Sequence, residues 1–473
     1  MTVLVYAPFL PVLAGLTALL ALFGRVASWT LPLIALLTAM GISACSFRAV
    51  RKNQWPVAAL MLICTLFSSL WVLFSLSPLQ TPSFVDTTGT VVENRPWGRL
   101  YAVAVETPEG GFLLRRPFPE WPEGSRLRLS GVPVAFRGAS ESGFREDYYW
   151  NARGISARLT SVSVEPIPGG WNLHEQRYRL YRALSLHLPP LTGKYLAAAW
   201  TGKRDGELDK AHRAWGTSHL LAVSGFHVGV AMAFAAWFFR RGKWRVLGLS
   251  SLLWLYVFLA GFTPSAARAG LMLQIALLGE LSGRPGSLIN SVSLAAVLLL
   301  LASPYWFWDI GWRLSVLAAL AIAAVAAAEE EEKARRLAWV LASPLVWLTT
   351  FPQVSAVFAP VPAVGLLVNF FALPVFAFIL PVASALAALH LLGVPLTSFL
   401  LHAAEESFFL WGVLANAAAR LVPWQMERSV FMGCAGCAAL LAALCYALRV
   451  PRRNAVILVS LGILAAFALF PGP

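Results

Sequence analysis

The sequence predicts a polytopic α-helical membrane protein with an inserted, extracytoplasmic all-β domain that resembles an OB barrel. Hydrophobic residues make up 58% of the chain and charged residues 13%, whereas soluble domains carry about 25% charged residues. The mean hydropathy is +0.68. Apolar runs of about 20 residues, the length that crosses a bilayer, recur along the chain and predict about ten to twelve spans. One long polar region, residues 81–190, interrupts them.

The first element is a group of transmembrane helices over residues 1–80. Its first apolar run has no basic segment before it and no small-residue cleavage motif after it, so we expect a retained helix rather than a signal peptide. Basic clusters at 48–52 and 240–245 indicate cytoplasmic loops. They place the N-terminus in the cytoplasm, the polar region outside, and His219 near the outer leaflet.

The second element is the polar region, which we expect to form a barrel over residues 81–168. Short β-branched segments separated by Gly and Pro are typical of a small sandwich or barrel, and about 85 residues suit an OB-like barrel. The segments are residues 90–92, 100–105, 111–114, 126–129 and 132–136. Residues 169–218 look amphipathic and interfacial, and residues 219–473 form the second membrane region.

Aromatic and basic side chains alternate in the stretch FREDYYWNARGI at 144–155. Bases stack on aromatic rings and arginines pair with phosphates, so such a patch suits single-stranded nucleic acid. The predicted DNA-binding residues are Arg145, Tyr148, Tyr149, Trp150 and Arg153. A solvated barrel rim explains the same composition equally well.

The stretch HLLAVSGFHVG at 219–229 carries polar residues into an apolar run. Such groups at membrane depth usually line a path that the protein needs. The candidate path residues here are His219, Ser224, Gly225 and His227, the two histidines sharing roughly half a face if one helix carries both. A helix start that uses Ser and Gly for close packing is the alternative.

Further polar groups lie in later apolar segments. Arg268 is a lone cation, and Asp309 and Arg313 are spaced to pair on one helix. Asn369 precedes Pro374 and Pro381, as in the interrupted helices around substrate paths. For Asp309 and Arg313 the alternative is a structural ion pair. For Asn369 and the prolines it is a simple helix kink.

No cofactor is expected. A metal is not expected either, because no carboxylate stands at ligand spacing from the histidines and catalytic zinc needs three protein ligands. The Gly-Lys pairs are followed by Tyr195, Arg204 and Trp244 rather than by Ser or Thr, so there is no P-loop.

Several separate motifs resemble the ComEC competence family, over about residues 81–390. They are SHLLAVSGFHVGV, LAGFTPSAARAGLML, SPYWFWDIGWRLSVLAALAI, VPAVGLLVNFFALPVFAFILP and SGFREDYYWNARGI. The chain departs from the family at Arg313 and Val316, in WRLSV where FQLSF is typical. It also lacks the HxHxDH run of the metallo-β-lactamase-like domain that many members carry, so we expect no catalytic residues and no enzyme activity.

The resemblance implies a channel for single-stranded DNA in the bacterial cytoplasmic membrane, used in natural transformation. Implied partners are single-stranded DNA, membrane lipid, an external DNA-receptor protein, a cytoplasmic helicase-like ATPase and a separate nuclease. Two alternatives stay open. Residues 222–225, AVSG, resemble part of the rhomboid GxSG motif, so Ser224 with His390 or His402 would make an intramembrane serine protease. A permease for another anionic polymer is the second.

Overall fold

The computed structural model of the chain describes residues 7–23, 55–76, 83–136, 145–221, 223, 225–239, 242–281, 287–327, 332–450 and 452–469. The helices are α1 Phe9–Phe23, α2 Trp55–Ser75, α3 Glu146–Asn151, α4 Leu173–His187, α5 Pro190–Thr201, α6 Gly206–Ala214, α7 Gly225–Phe238, α8 Lys243–Leu259, α9 Pro264–Leu281, α10 Leu288–Ala302, α11 Ile310–Ala327, α12 Glu332–Phe358, α13 Val364–Leu391, α14 Thr397–Leu421, α15 Val430–Ala447 and α16 Arg452–Leu469. Two 3₁₀ turns, Ser218–Leu220 and Pro304–Trp308, precede α7 and α11.

A five-stranded barrel occupies the polar region, consistent with the expected OB-like fold. Its strands are β1 Val85–Trp97, β2 Leu100–Thr107, β3 Gly110–Arg116, β4 Arg126–Ala135 and β5 Ile155–Ile167. They close in the order β1-β2-β3-β5-β4, with β3 and β5 parallel and the other pairs antiparallel. Alternate residues point inward and build the core, among them Val103, Phe112 and Leu127.

Two details of the barrel differ from the expectation. The segments predicted as separate strands at 126–129 and 132–136 belong to the single strand β4, which shifts register against β5 between Ser130 and Val132. The strand β5 was not among the expected segments, although apolar and polar residues alternate along most of it. A bulge adds one residue to one strand and shifts the alternation of inward and outward residues. The sequence therefore suggests two short strands where β4 is continuous.

The outer surface of β2 and β3 is covered by α3. Ala102, Ala104 and Leu113 on that surface pack with Trp150 and Ile155 in a second small core. In OB folds this surface, with the loops beside it, is where oligonucleotides bind. Here a segment of the same chain occupies it.

The helices pack around two apolar cores. The first joins α1, α2, α7–α11 and α15, and the second joins α4–α6, α13 and α14. Within the described ranges three helices are long and apolar enough to cross a membrane: Ile310–Ala327, Val364–Leu391 and Val430–Ala447. Shorter apolar helices are Leu62–Ser75, His227–Phe238 and Leu288–Ala302. Two short strands, β6 Val361–Pro362 and β7 Gln425–Met426, pair with each other. The strand β6 precedes α13, and β7 follows α14.

The barrel contacts the helices through two anchors. We call the first the Asp309 anchor: Arg153 forms an ion pair with Asp309 at 3.2 Å, and the Trp306 indole donates to the carbonyl of Ala152. Tyr148 packs on Trp308, with ring centres 4.2 Å apart.

The second, the Glu123 anchor, lies between the β3–β4 loop and α4 to α6. Glu123 is 3% exposed and faces Lys203 at 3.1 Å and Arg177 at 3.8 Å. Asn172, which caps α4, donates to the carbonyl of Gly124 at 2.9 Å. The two anchors together fix the barrel against the helices.

Candidate functional site

The loop before α7 brings the histidines together, although they do not share one helix as expected. His219 lies in the 3₁₀ turn and is exposed, while His227 lies in α7 and is 6% exposed. His219 is near enough to His227 and to His212 for their charges to interact. The predicted path residue Ser224 lies outside the described residues.

His212, at the end of α6, is the buried centre of this loop. Its Nε2 is hydrogen bonded to the Tyr195 hydroxyl at 2.8 Å, and its Nδ1 to the Thr217 hydroxyl at 2.9 Å. Burial lowers the pKa of His212 to about 4 and raises the pKa of Tyr195. The imidazole is therefore neutral near pH 7, because a buried charge without a compensating partner is costly.

Asn369 connects the same loop to α13. Its Nδ2 donates to the carbonyl of Gly216 at 3.3 Å, and its buried Oδ1 has no hydrogen-bond partner in the described part of the chain. A Cβ at Gly216, where φ is +69°, would lie 2.8 Å from the Cα of Gly365. The close approach of two glycines thus lets Asn369 reach the loop.

Arg268 is 4% exposed on the second turn of α9. Its Nε and Nη1 have no hydrogen-bond partner among the described residues. Its Nη2 lies 3.8 Å from the position of a Cβ on Gly225, the first residue of α7. A pair between Arg268 and Asp309 is not among the ion pairs of the described residues, where Asp309 pairs with Arg153.

The first turns of α7 and α9 meet at this arginine, and the start of α11, with Asp309, lies beside the start of α9. The hydroxyl of Ser265, at the start of α9, lies 3.9 Å from the Cβ position of Gly311 at the start of α11. Gly225 at the start of α7 faces Arg268 from the other side. Each helix N-terminus carries about half a positive charge. We call this convergence of α7, α9 and α11 with Arg268 the cationic junction.

Asp309 and Arg313 do not pair with each other as predicted. Asp309 precedes α11, accepts a hydrogen bond from the Trp312 N–H at 3.1 Å and pairs with Arg153. Arg313 donates to the Phe307 carbonyl at 2.6 Å and to Gln353 at 3.4 Å. The spacing was correct for a helix, but the carboxylate caps the helix instead of lying within it.

The predicted DNA-binding patch lies at the barrel's contact with the helices. Trp150 is 0% exposed, so its assignment as a base-stacking residue is wrong. Tyr148 packs against Trp308 and Tyr305, and the Arg153 guanidinium lies 3.7 Å from the Tyr149 ring centre. Arg145 pairs with Asp147 at 2.6 Å. The alternation of aromatic and basic residues that suggested nucleic acid serves packing between domains.

The described residues contain no group of three or more His, Cys, Asp or Glu side chains placed to hold a metal ion. The hydrogen-bonded group of Tyr195, His212 and Thr217 was not predicted from the sequence. Its only signal was His212 itself, in the polar segment AHRAWGTSHL.

Comparison with known proteins gives a consistent assignment. The family described as Competence protein matches residues 199–454, more than half of the chain. The chain is 30% identical to ComE operon protein 3 of Bacillus subtilis (strain 168) over 217 residues. That alignment covers 37% of this chain and 28% of the relative, so the chain spans well under two thirds of it. No solved structure matches the chain.

Proposed function

Because the chain belongs to the competence protein family, we propose that it conducts single-stranded DNA across the bacterial cytoplasmic membrane during natural transformation. Family membership and the relative support a role in competence DNA uptake. The apolar helices are in keeping with a membrane protein. Conduction of one strand through the helices is our own step beyond this.

The cationic junction is the observation that carries the proposal. A phosphate group does not enter hydrocarbon without compensation, because burying a bare ion is very costly. The N-termini of α7 and α9 offer positive partial charge to an anion, whereas the Asp309 carboxylate caps α11, and Arg268 adds a full charge with two unpaired nitrogens. A passing phosphodiester would satisfy these donors in turn.

In this proposal His219, His227, Arg313 and Asn369, the other members of the predicted path, line the route together with the junction. In this proposal the protein crosses the membrane many times, with its N-terminus in the cytoplasm and the barrel outside. An inside-negative potential opposes entry of each phosphate by about 2.3 kcal/mol per 100 mV. We therefore propose a cytoplasmic helicase-like ATPase as the motor, with an external DNA receptor, a separate nuclease and surrounding lipid as further partners.

The protease alternative is not favoured. Asn369 on α13 contacts the loop that leads to Ser224, whereas His390 lies 21 residues further along the same helix, about 30 Å away at 1.5 Å per residue. His402 is bonded to the Ser398 carbonyl within α14. A general base must lie within hydrogen-bond reach of its nucleophile. The described geometry supplies neither histidine there.

Uptake of labelled DNA by cells that carry variants of Arg268 tests the proposal. Arg268→Gln should lower uptake by about tenfold or more, equivalent to at least about 1.4 kcal/mol, since it removes the charge at the junction. Arg268→Lys should keep part of the activity, because a point charge still attracts phosphate.

Arg420→Gln, an exposed cation at the end of α14, is the matched control and should transport normally at equal protein level. Normal uptake by Arg268→Gln would contradict the proposal. Equal inhibition of wild-type uptake by a glycan phosphate polymer and by DNA would favour the permease for another anionic polymer.

A further inference from the structure

A cleft opens on the barrel where β3 and β5 separate. The two strands are paired from Gly111 and Ile155 as far as Leu113 and Arg158, and no pairing between them is recorded beyond that point of the described barrel. The cleft has a volume of about 280 Å³ and is lined by residues 114–116 of β3 and 159–162 of β5. We call it the β3–β5 cleft.

The separation has a local cause in β5. Ser161 adopts a left-handed conformation with φ of 51°, and the register against β4 shifts between Ser130 and Val132 at the same level. The strand therefore turns toward β4 and away from β3. Residues 114–116 of β3 pair with β2 on one side, and in the described barrel no strand pairs with them on the side of the opening.

The groups around the opening suit a phosphate chain with bases. Arg116 has a buried Nε without a hydrogen-bond partner in the described structure, whereas Arg115 pairs through Nη2 with Glu146 of α3 at 2.6 Å. The Arg116 guanidinium lies 5.2 Å from the ring centre of Trp121. Phe118, two residues beyond the strand, is 68% exposed. Cations and main-chain N–H groups bind phosphates, and exposed rings stack bases.

We propose that the β3–β5 cleft binds single-stranded DNA at the barrel surface. This inference rests on the proposed function for the choice of ligand. It assigns DNA to a surface other than the outer face of β2 and β3, which α3 occupies. A strand held by Arg116 places a base on Phe118 at the rim.

The main test uses a matched pair of variants at Ser161, which is exposed on the cleft wall. Asn and Asp both tolerate the left-handed conformation, and they differ in charge. Affinity for a fluorescein-labelled oligothymidylate of about 15 nucleotides, a length near the site size of one OB fold, is measured by anisotropy. The full chain is used, in phosphatidylcholine nanodiscs.

Ser161→Asp should weaken binding by roughly three- to tenfold at low salt, as expected for like charges a few ångström apart near a surface. Ser161→Asn should bind within about twofold of the wild type, the scatter of a neutral surface change. Arg116→Gln should weaken binding and flatten its salt dependence by about 0.7 in the log–log slope, the share of one phosphate contact on a single strand. Arg128 is an exposed arginine that pairs with Asp86 on the barrel. Arg128→Gln should leave both the affinity and its salt dependence unchanged.

An abasic oligonucleotide of the same length separates base stacking from phosphate binding. The wild type should prefer oligothymidylate at least about fivefold, and Phe118→Ala should abolish that preference, because the ring supplies the stacking surface. Equal affinity of the wild type for both chains would overturn the assignment to DNA and favour a plain phosphate or lipid headgroup. Equal affinity of Ser161→Asp and Ser161→Asn, or no binding by the wild type, would also overturn it. The uptake test at Arg268 does not depend on any of these results.

Discussion

His212 shows how a single buried residue can set the pH range in which a fold is stable. The side chain is fully buried and is hydrogen bonded to the hydroxyls of Tyr195 and Thr217. The charged groups that act on His212 are His219, Asp209 and Arg204. Burial outweighs their effect and lowers the pKa of His212 to about 4. The folded protein therefore binds a proton at His212 less readily than the unfolded chain does.

The first prediction follows from that difference. Between pH 6.5 and about 4 the unfolded chain binds the extra proton, so stability falls as the pH is lowered through this window and stays level above it. The full effect is about 3 kcal/mol, from about 1.4 kcal/mol per pH unit. His212→Gln should flatten this part of the profile, whatever it does to absolute stability. Thermal unfolding of the purified protein between pH 4 and 7.5 measures it, and identical slopes in both proteins would contradict it.

At the scale of elements, the packing of α7 against α9 depends on small residues where the two helices face each other. A Cβ on Gly225 would meet Ala269 at 3.6 Å and Arg268 at 3.8 Å, both ordinary contact distances. Room for one carbon is present, and a longer side chain has to extend from there beside Ala269 and Arg268. Small residues of this kind let helices approach closely.

Two substitutions at Gly225 therefore have opposite outcomes. Gly225→Ala should fold and transport normally, since the added methyl group fits and Ala favours helix by about 1 kcal/mol over Gly. Gly225→Leu should abolish DNA uptake while the protein still reaches the membrane, because the side chain must occupy the cationic junction. Gly229→Leu, a glycine on the same helix with nothing within 4 Å of its Cβ position, is the control. Equal uptake by both leucine variants would remove Gly225 from the path.

At the scale of the whole molecule, the barrel is fixed by two anchors that share no residue. The Asp309 anchor joins α3 to the start of α11, and the Glu123 anchor joins the β3–β4 loop to Arg177 and Lys203. Separate sites without common partners usually contribute independently. The barrel should then loosen in steps as the anchors are removed.

Arg153→Gln and Glu123→Gln test this independence. Each should lower the free energy of barrel docking by about 1–3 kcal/mol, since each leaves a partly buried charge without its partner. The double variant should lose the sum within about 0.5 kcal/mol. Hydrogen exchange of α3 and of the first turn of α4, followed by mass spectrometry, reports docking. If the double variant lost no more docking free energy than the more affected single variant, the two anchors would act as one.

Much of the fold could be predicted from composition and alternation. The apolar runs indicated helices such as α11 and α13, and the β-branched segments indicated a barrel in the polar region. The bulge at Ser130 could not be predicted, because a bulge changes the count of residues without changing their character, whereas β5 was missed although its residues alternate between apolar and polar. Burial of Trp150 could not be predicted either, since local sequence does not show which surface comes to cover an aromatic side chain.

The candidate site was predictable in its residue types and not in its contacts. A lone Arg268 in an apolar run and the histidines near residue 220 stand out in any membrane sequence. The partner of Asp309 is 156 residues away on the barrel, a distance at which spacing rules for one helix carry no information. Arg115 and Arg116 lie at the end of β3 in the sequence pattern, and nothing in the sequence shows that β5 turns away from them.

The position of α1 and α2 against α10 has a consequence for how the chain is made. The Phe9 N–H donates to Asn290 at 3.1 Å, and the Trp71 indole donates to the Leu301 carbonyl at 2.9 Å. Roughly 210 residues, including the whole barrel, separate α2 from α10 in the chain. At about 5–20 residues per second, a ribosome takes about 10–40 seconds to produce them. During that interval the first two helices exist without their partner α10, and the barrel has time to fold before the helices close on one another.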